Sequence, residues 1–260
     1  MAGEVRVDEP LDGVVRLTIA NPGKRNALDH AILDGLAAAV AARAGDARCL
    51  VLTGADGMFS SGYDIGDLPD DVFAERAEAL VAHPFTAALE ALDGCDVPTV
   101  AALPGHTIGG GLELALCCDL RVAADGIRLG MPPAKLGLVY SHTGLARFLR
   151  VVGEARTREL FLLGRTVDAV VAESWGLVNA VVADDAVQAA ALDWAGELAA
   201  NAPLSVRGNK RVLRELLRGT LDPDVERELI ALREASFRSR DMREGVRAFG
   251  EKRAPVWQGR

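Results

Sequence analysis

The amino-acid sequence predicts a mixed α/β protein whose C-terminal part is entirely helical. Apolar runs of strand length alternate with amphipathic stripes of helix length as far as about residue 183. Beyond that point the pattern is helical only, with segments at 185–200, 203–218, 223–239 and 241–250. The 260 residues are 50% hydrophobic, which is enough for a sizeable core. We therefore expect an α/β core over residues 1–184 and a helical region over residues 185–260.

The first predicted elements are a strand, a turn and a capped helix. Residues 14–20 alternate, with Val15, Leu17 and Ile19 on one face, as in a half-buried strand. A turn and a short basic loop follow, and Asp29 is a good N-cap for the next helix. That helix carries an apolar stripe formed by Ile32, Leu33, Leu36 and Val40.

The middle of the chain continues the alternation of strands and helices. The predicted strands are residues 48–53, 98–103, 119–124 and 178–182, and the predicted helices are residues 69–92, 112–118, 143–152 and 154–163. Residues 127–131 lead into Pro132 and Pro133, which do not fit inside a regular helix or a central strand.

Charge and composition argue against several classes of function. With 29 Lys and Arg against 37 Asp and Glu, the net charge is −8, which disfavours nucleic acids and anionic membranes as partners. A local basic patch for an anionic ligand stays open. The four cysteines form no C-x-x-C pair, so we expect no metal site and no disulfide framework, as in a reduced cytoplasmic protein. We recognise no signal peptide, and no apolar run reaches the ~20 residues of a membrane helix.

Residues 101–119 carry the strongest signal in the chain, because a strand-like run is followed by a glycine run and an apolar helix. Gly109, Gly110 and Gly111 open the helix, which leaves backbone N–H groups bare and lets a ligand approach. The helix dipole adds positive potential that suits an oxygen becoming negative during a reaction. Glu113 lies beside this point. The alternative is a packing turn with an acid that favours the helix dipole.

A second loop, after the strand at 48–53, ends at Gly62, Tyr63 and Asp64 and offers another backbone N–H to face the first. Five motifs in order resemble the crotonase superfamily, the enoyl-CoA hydratase/isomerase group. They are K-R-N-A-L at 24–28, F-S-S-G-Y-D-I at 59–65, G-H-T-I-G-G-G-L-E-L-A at 105–115, L-G-L-V-Y at 136–140 and E-G-V-R-A-F-G-E-K-R at 244–253. The resemblance covers about residues 5–255. It implies a ClpP/crotonase-like spiral of ββα turns and helical C-terminal packing between the subunits of a homotrimer or hexamer.

The resemblance also implies an acyl-CoA substrate, with coenzyme A as part of that substrate and no separate cofactor. The backbone N–H groups of Tyr63 and Gly110 would form an oxyanion hole that holds an enolate. The residues that it implies for binding CoA or the acyl group are Lys24, Arg25, Ala27, Leu28, Asp64, Ile65, Gly109, Pro133, His142, Phe249 and Lys252. In relatives, the element matched by Phe249 and Lys252 reaches the CoA site of a neighbouring subunit.

The catalytic acids decide which reaction is expected. Enoyl-CoA hydratases use two glutamates across one water; the first matches Glu113, but the second position holds Pro133. Each positioned acid or base typically contributes about 10²–10⁴-fold, so hydration of crotonyl-type thioesters should be slow. Double-bond isomerases that rely on the second glutamate meet the same obstacle.

The stretch M-P-P-A-K-L-G-L-V-Y-S at 131–141 is instead similar to the methylmalonyl-CoA decarboxylase branch. Decarboxylation needs an enolate site, a pocket that desolvates the carboxylate and a later proton source. Tyr140 is the candidate to hold the carboxylate and donate, with Lys135 and His142 as nearby cations. The alternative for Tyr140 is a half-buried ring whose hydroxyl meets a backbone carbonyl. An ionised Glu113 would repel the carboxylate unless it points away, is protonated or acts by that repulsion.

Two further hypotheses stay open at this point. One is a hydratase, isomerase or hydrolase that acts on another acyl-CoA with altered catalytic acids. The other, from a different class, is a non-catalytic protein that binds CoA esters. RNA binding is disfavoured by the acidic balance of the chain.

Overall fold

The computed structural model describes residues 2–64, 81–219 and 222–260. Its strands are β1 (Glu4–Leu11), β2 (Val14–Ala20), β3 (Cys49–Gly54), β4 (Thr99–Leu103), β5 (Thr107–Ile108), β6 (Leu120–Ala124), β7 (Arg128–Gly130), β8 (Thr166–Asp168) and β9 (Ala180–Val182). Its helices are α1 (His30–Arg43), α2 (Thr86–Gly94), α3 (Gly110–Leu116), α4 (His142–Leu163), α5 (Ala169–Ser174), α6 (Val187–Ala200), α7 (Pro203–Leu217), α8 (Pro223–Arg238) and α9 (Arg240–Glu251).

A six-stranded sheet in the order β1-β2-β3-β4-β6-β9 forms the centre of the core. β1 and β2 are antiparallel, whereas the other neighbours pair in parallel. Every residue of β3 and β4 is buried. Strands of a parallel sheet are covered on both faces, which explains why these two form continuous apolar runs in the sequence.

A smaller sheet of three short strands, in the order β5-β7-β8, positions the start of α3. β5 ends directly before Gly109, and the Gly109 N–H donates to the Gly130 carbonyl oxygen at the end of β7, at 2.9 Å. Because this bond fixes the backbone just before α3, the small sheet determines where the first N–H groups of that helix lie.

The predicted mixed α/β class with a helical C-terminal region is confirmed, with shifts at several boundaries. α3 begins at Gly110, two residues earlier than predicted, because two of the glycines form its first turn. The segments 143–152 and 154–163 both lie within α4, which departs from helical geometry at Gly153, where φ is 73°. The helix predicted at 69–92 corresponds to α2 only near its end, and residues 65–80 lie outside the described residues.

The C-terminal helices bury few side chains compared with the core. α6 packs on β3, β4 and β6 and buries Val187, Ala191 and Ala195. The three helices that follow leave large apolar side chains exposed, among them Leu213, Leu216, Leu217, Phe237, Val246 and Phe249. Within the described ranges, no helix has the length and apolarity that a bilayer span requires.

All four cysteines are buried free thiols. Burial raises the pKa of the Cys49 and Cys118 thiols to about 12, so neither is a thiolate at neutral pH. Over the same described ranges, no group of three or more histidine, cysteine and acidic side chains is arranged to hold a metal ion.

Candidate active site

The loop after β3 and the start of α3 are in direct backbone contact. The Ile108 N–H donates to the Ser60 carbonyl oxygen at 3.0 Å, and the Ser60 N–H donates to the His106 carbonyl oxygen at 3.4 Å. A Cβ added to Gly62 would lie 3.1 Å from the Ile108 carbonyl oxygen. The two stretches that the sequence singled out are therefore joined into one site.

This contact places the backbone next to Tyr63 against the start of α3, because a Cβ added to Gly62 would lie 3.5 Å from the Gly110 nitrogen. Gly110 is the first residue of α3, where helical N–H groups have no partner within the helix. Gly109 precedes it with φ of 56° and ψ of −127°, a conformation that favours glycine. In the hydrogen bonding of the described residues, the N–H groups of Tyr63 and Gly110 donate to no protein acceptor. They are free to donate to a ligand.

The ring of Tyr63 covers Gly110. A Cβ added to Gly110 would lie 2.6 Å from Cε1 of Tyr63, and the three atoms nearest to it all belong to that ring. The ring also packs edge-on against Phe85, with centroids 4.7 Å apart. Residue 110 must therefore be glycine as long as the ring of residue 63 stays in this position.

Glu113 is fully buried in the first turn of α3 and is the inner end of a hydrogen-bonded chain. The Tyr140 hydroxyl donates to Oε2 of Glu113 at 2.6 Å, and the hydroxyl oxygens of Tyr63 and Tyr140 lie 3.1 Å apart. We call these three side chains the tyrosine–glutamate chain. A Cβ added to Gly144 would approach both Glu113 carboxyl oxygens to within 3.0 Å, so α4 closes over the carboxylate.

The electrostatics of this chain favour neutral tyrosines and a poised carboxyl group. Burial raises the pKa of the Glu113 carboxyl, while the Tyr140 hydroxyl and the Arg147 guanidinium oppose that rise. Burial also raises the pKa of Tyr63 and of Tyr140, so both hydroxyls keep their protons at neutral pH. The chain can therefore hold and pass a proton without forming a phenolate at rest.

Two residues at this site, Arg147 of α4 and Asp93 of α2, were not singled out in the sequence. Arg147 donates both terminal nitrogens to Asp93, at 2.8 and 2.6 Å, while its Nε lies 3.8 Å from Oε1 of Glu113. An arginine and an aspartate on amphipathic helices resemble ordinary surface charges. Only tertiary packing brings them behind Glu113.

The basic loop at 24–28, which the resemblance assigns to CoA, is bonded to the loop that carries Tyr63. The Leu28 N–H donates to the Gly62 carbonyl oxygen at 2.8 Å, and the Asp64 N–H donates to the Leu28 carbonyl oxygen at 3.0 Å. Lys24 forms an ion pair with Asp64 at 3.0 Å. Arg25 is exposed, whereas Ala27 and Leu28 are buried. Of the residues predicted in this region, Ile65 lies outside the described residues.

The remaining predicted site residues lie in three places. Pro133 is buried at the start of a short 3₁₀ turn, and its carbonyl oxygen accepts from the Leu136 and Leu138 N–H groups, each at 3.0 Å. His142 is exposed at the first position of α4. Phe249 and Lys252 are exposed at the C-terminal end of α9, where Lys252 adopts a left-handed conformation with φ of 54°.

Comparison with known proteins gives a consistent result. The enoyl-CoA hydratase/isomerase family model matches residues 9–260. The mevalonyl-coenzyme A hydratase of Beauveria bassiana is 36% identical over 96% of this chain and 92% of its own length. The carnitinyl-CoA dehydratase of Citrobacter koseri is 35% identical over 82% of each chain. The 2,3-dehydroadipyl-CoA hydratase of Escherichia coli is 33% identical over 95% of this chain and 96% of its own.

Solved structures are similar over nearly the whole chain. An enoyl-CoA hydratase/isomerase family protein from Hyphomonas neptunium superposes with a TM-score of 0.90 at 34% identity, covering 98% of both chains. The enoyl-CoA hydratase from Bacillus anthracis gives a TM-score of 0.90 at 28% identity, covering 99% of this chain and 100% of the other.

Proposed function

The chain belongs to the enoyl-CoA hydratase/isomerase family, whose crotonase fold it shares, and from this premise we propose that it decarboxylates a malonyl-type CoA ester. The observation that carries the proposal is the tyrosine–glutamate chain beside the free N–H groups of Tyr63 and Gly110. It offers an enolate site and a proton source. Pro133 is buried, and the sequence resemblance matches it to the second glutamate of a hydratase.

The proposed reaction uses these groups in order. The bond between the α-carbon and the carboxylate breaks, CO₂ leaves, and the electron pair passes into the thioester to form an enolate. The N–H groups of Tyr63 and Gly110 stabilise the enolate oxygen, each contributing on the order of 3 kcal/mol to lowering the barrier. The α-carbon then takes a proton from the Tyr63 hydroxyl at the outer end of the tyrosine–glutamate chain. This step gives the shortened acyl-CoA.

The position of Glu113 answers the objection that an acid would repel the substrate carboxylate. Glu113 is enclosed by Gly144 on one side and bonded to Tyr140 on the other, so the tyrosines separate it from the oxyanion site. Burial also raises its pKa, which favours the neutral acid. The phenols of Tyr63 and Tyr140 are neutral, so neither of them repels a substrate carboxylate.

A second candidate is hydration or dehydration of another acyl-CoA, because relatives with 33–36% identity are named hydratases and a dehydratase. In that case the tyrosine–glutamate chain would accept a proton from the attacking water instead of delivering one. Hydration gains most from a second acid at the position that Pro133 occupies, and proline has no acid–base chemistry, so we rank hydration below decarboxylation.

A mass-spectrometric screen of CoA thioesters tests the assignment. The panel contains methylmalonyl-, ethylmalonyl-, glutaconyl- and crotonyl-type esters. We expect loss of CO₂ from a malonyl-type ester and slow hydration of the crotonyl ester. Hydration of an enoyl ester with no loss of CO₂ would favour the second candidate. If no ester turns over while calorimetry shows that acetyl-CoA binds, a non-catalytic CoA-ester binder is favoured.

Removing only the Tyr140 hydroxyl should separate chemistry from binding. We expect Tyr140→Phe to slow decarboxylation by about 10²–10⁴-fold, because it breaks the chain between Glu113 and Tyr63. Packing should survive, since the ring contact with Phe161, with centroids 5.3 Å apart, does not need the hydroxyl. The rate is followed by CO₂ release, and calorimetry with acetyl-CoA reports binding as the control. An unchanged rate would remove Tyr140 from the mechanism.

We also propose that the subunits assemble as a homotrimer or a hexamer, with Phe249 and Lys252 near a subunit boundary. The exposed leucines of α7 and the side chain of Phe249, which is 89% exposed, support this proposal. Light scattering at micromolar concentration should give the mass of a trimer or hexamer. A stable monomer would contradict it.

We propose further that CoA enters only as part of the substrate and that no other cofactor is needed. Residues Lys24, Arg25, Ala27 and Leu28 are proposed to contact its nucleotide end, because their loop is bonded to the one that carries Tyr63. The four free thiols support a cytoplasmic location, where reducing conditions keep them unpaired.

A further inference from the structure

Behind the tyrosine–glutamate chain, two buried polar atoms face each other without a hydrogen bond. Oε1 of Glu113 and Nε of Arg147 lie 3.8 Å apart, and neither has a hydrogen-bond partner among the described residues. Both terminal nitrogens of Arg147 are held by Asp93. One oxygen of Glu113 is thus fixed by Tyr140, while the other experiences the charge of Arg147.

The groups that face Glu113 come from four elements. Tyr140 belongs to the segment before α4, Arg147 to α4 itself and Asp93 to α2, while Cys117 comes directly after α3, the helix that carries Glu113. The Cys117 thiol is neutral, because burial raises its pKa far above the ordinary value. Among these four groups, Arg147 is the cation, and Asp93 partly offsets its charge.

The protonation state of Glu113 decides the direction of every hydrogen bond in the chain. When Glu113 is a carboxylate, Tyr140 donates to it and Tyr63 donates to Tyr140. The Tyr63 hydroxyl oxygen can then only accept a hydrogen bond from a ligand. When Glu113 is a carboxylic acid, both bonds of the chain can reverse, and the Tyr63 hydroxyl then donates outward. The same three side chains therefore act as a base in one state and as an acid in the other.

We infer that Arg147, anchored by Asp93, is a positioning residue that sets the charge of Glu113 and thereby the direction in which the chain moves a proton. The inference rests on the proposed function in one respect, namely the direction of proton transfer that turnover uses. In decarboxylation the acid form is productive: the Glu113 proton passes to Tyr140, that of Tyr140 to Tyr63, and that of Tyr63 to the α-carbon. Glu113 is left as a carboxylate and regains a proton from water.

Infrared titration of the full-length protein without substrate tests this inference directly. The carboxylic acid band of Glu113 is identified as the band that Glu113→Gln removes, and its midpoint pH is measured. We expect Arg147→Gln to move the midpoint to higher pH, because a positive charge near the carboxylate is lost. An opposite charge at this range typically displaces a carboxyl midpoint by about 1–3 pH units, which is readily measured.

Two further variants distinguish charge from packing. Asp93→Asn should move the midpoint to lower pH, because it removes a negative charge and leaves Arg147 less neutralised. Arg147→Lys should stay near the wild-type midpoint, since it keeps the charge. Arg150→Gln, an exposed position on the same helix, is the matched control and should leave the midpoint unchanged. If Arg147→Gln does not fold by circular dichroism, Asp93→Asn and Arg147→Lys decide.

The possible results separate this inference from the proposed function. An unchanged midpoint in Arg147→Gln, or shifts of Arg147→Gln and Asp93→Asn in the same direction, would overturn the role of Arg147. Opposite shifts of the Glu113 midpoint in Arg147→Gln and Asp93→Asn support the role of Arg147, and this result does not depend on which substrate the protein uses. Decarboxylation should fall as pH rises through the Glu113 titration, and in Arg147→Gln this fall should occur at higher pH. Opposite infrared shifts in a protein that releases no CO₂ would support the inference and contradict the proposed function.

Discussion

Substituting Gly110 by alanine should slow turnover by about 10²–10³-fold in the wild type, whereas the same substitution in a Tyr63→Ala background should cost little further activity. The new Cβ would lie 2.6 Å from Cε1 of Tyr63, so the ring must move and displace the backbone that carries one of the two donors. Without the ring the methyl group has space. The double variant should therefore resemble Tyr63→Ala alone, which keeps both N–H donors but lacks the outer hydroxyl.

A double-mutant cycle on the rate of CO₂ release measures this coupling between residues 63 and 110. Gly94→Ala is the control, because a Cβ there would meet no atom within 4 Å. Circular dichroism and thermal unfolding check that all variants fold. Additive effects of the two substitutions would show that the ring does not limit residue 110. Full activity of Gly110→Ala would also contradict the proposed oxyanion hole.

Replacing Pro133 by glutamate should raise the hydration of crotonyl-CoA by about 10²–10⁴-fold over the wild type. The substitution places an acid at the position that the sequence resemblance matches to the second glutamate of a hydratase. The local backbone should tolerate it, because Pro133 is the first residue of a 3₁₀ turn, where no N–H is needed and any residue adopts the required φ. The reaction is followed by the loss of the enoyl-thioester absorbance.

Pro133→Gln is the matched control, since it has nearly the same shape as glutamate but no acid–base chemistry. We expect it to stay at the wild-type rate, so that the gain can be assigned to the carboxyl group. Equal hydration rates for Pro133→Glu and Pro133→Gln would show that the carboxyl group is not what the wild-type protein lacks. Wild-type hydration of crotonyl-CoA with kcat on the order of 10³ s⁻¹ would show that another group supplies the second acid or base.

The parts of the fold that the sequence predicts are those in which burial leaves a continuous pattern. β3 and β4 form apolar runs because they are covered on both faces. The glycine run at 109–111 predicts the start of α3. β1 is not predicted, because most of its residues are exposed and no apolar face emerges. β5 and β8 have two and three residues, too short for any periodicity, and exist only through pairing with distant β7.

The candidate site likewise contains residues that the sequence predicts and contacts that it does not predict. Gly110, Tyr63 and Glu113 lie in local motifs, which the glycine run and the resemblance to the crotonase superfamily single out. The bond from Tyr140 to Glu113 spans 27 residues, and the pair formed by Arg147 and Asp93 spans 54. No local pattern records such contacts, because each depends on how α2, α3 and α4 pack together. The sequence therefore predicts where the reaction takes place more completely than how its protons are controlled.

The backbone contact between Gly62 and Gly109 has a consequence for how the reaction could change. The proposed binding of an enolate depends on the main chain, whereas the choice of reaction depends on side chains. Both glycines have positive φ angles, of 98° and 56°, and the path of the main chain between them, without any side-chain functional group, presents the two N–H donors. In the proposed mechanism, substitutions at positions 63, 133 or 140 would therefore change which bond is broken or formed while the two backbone donors stay in place.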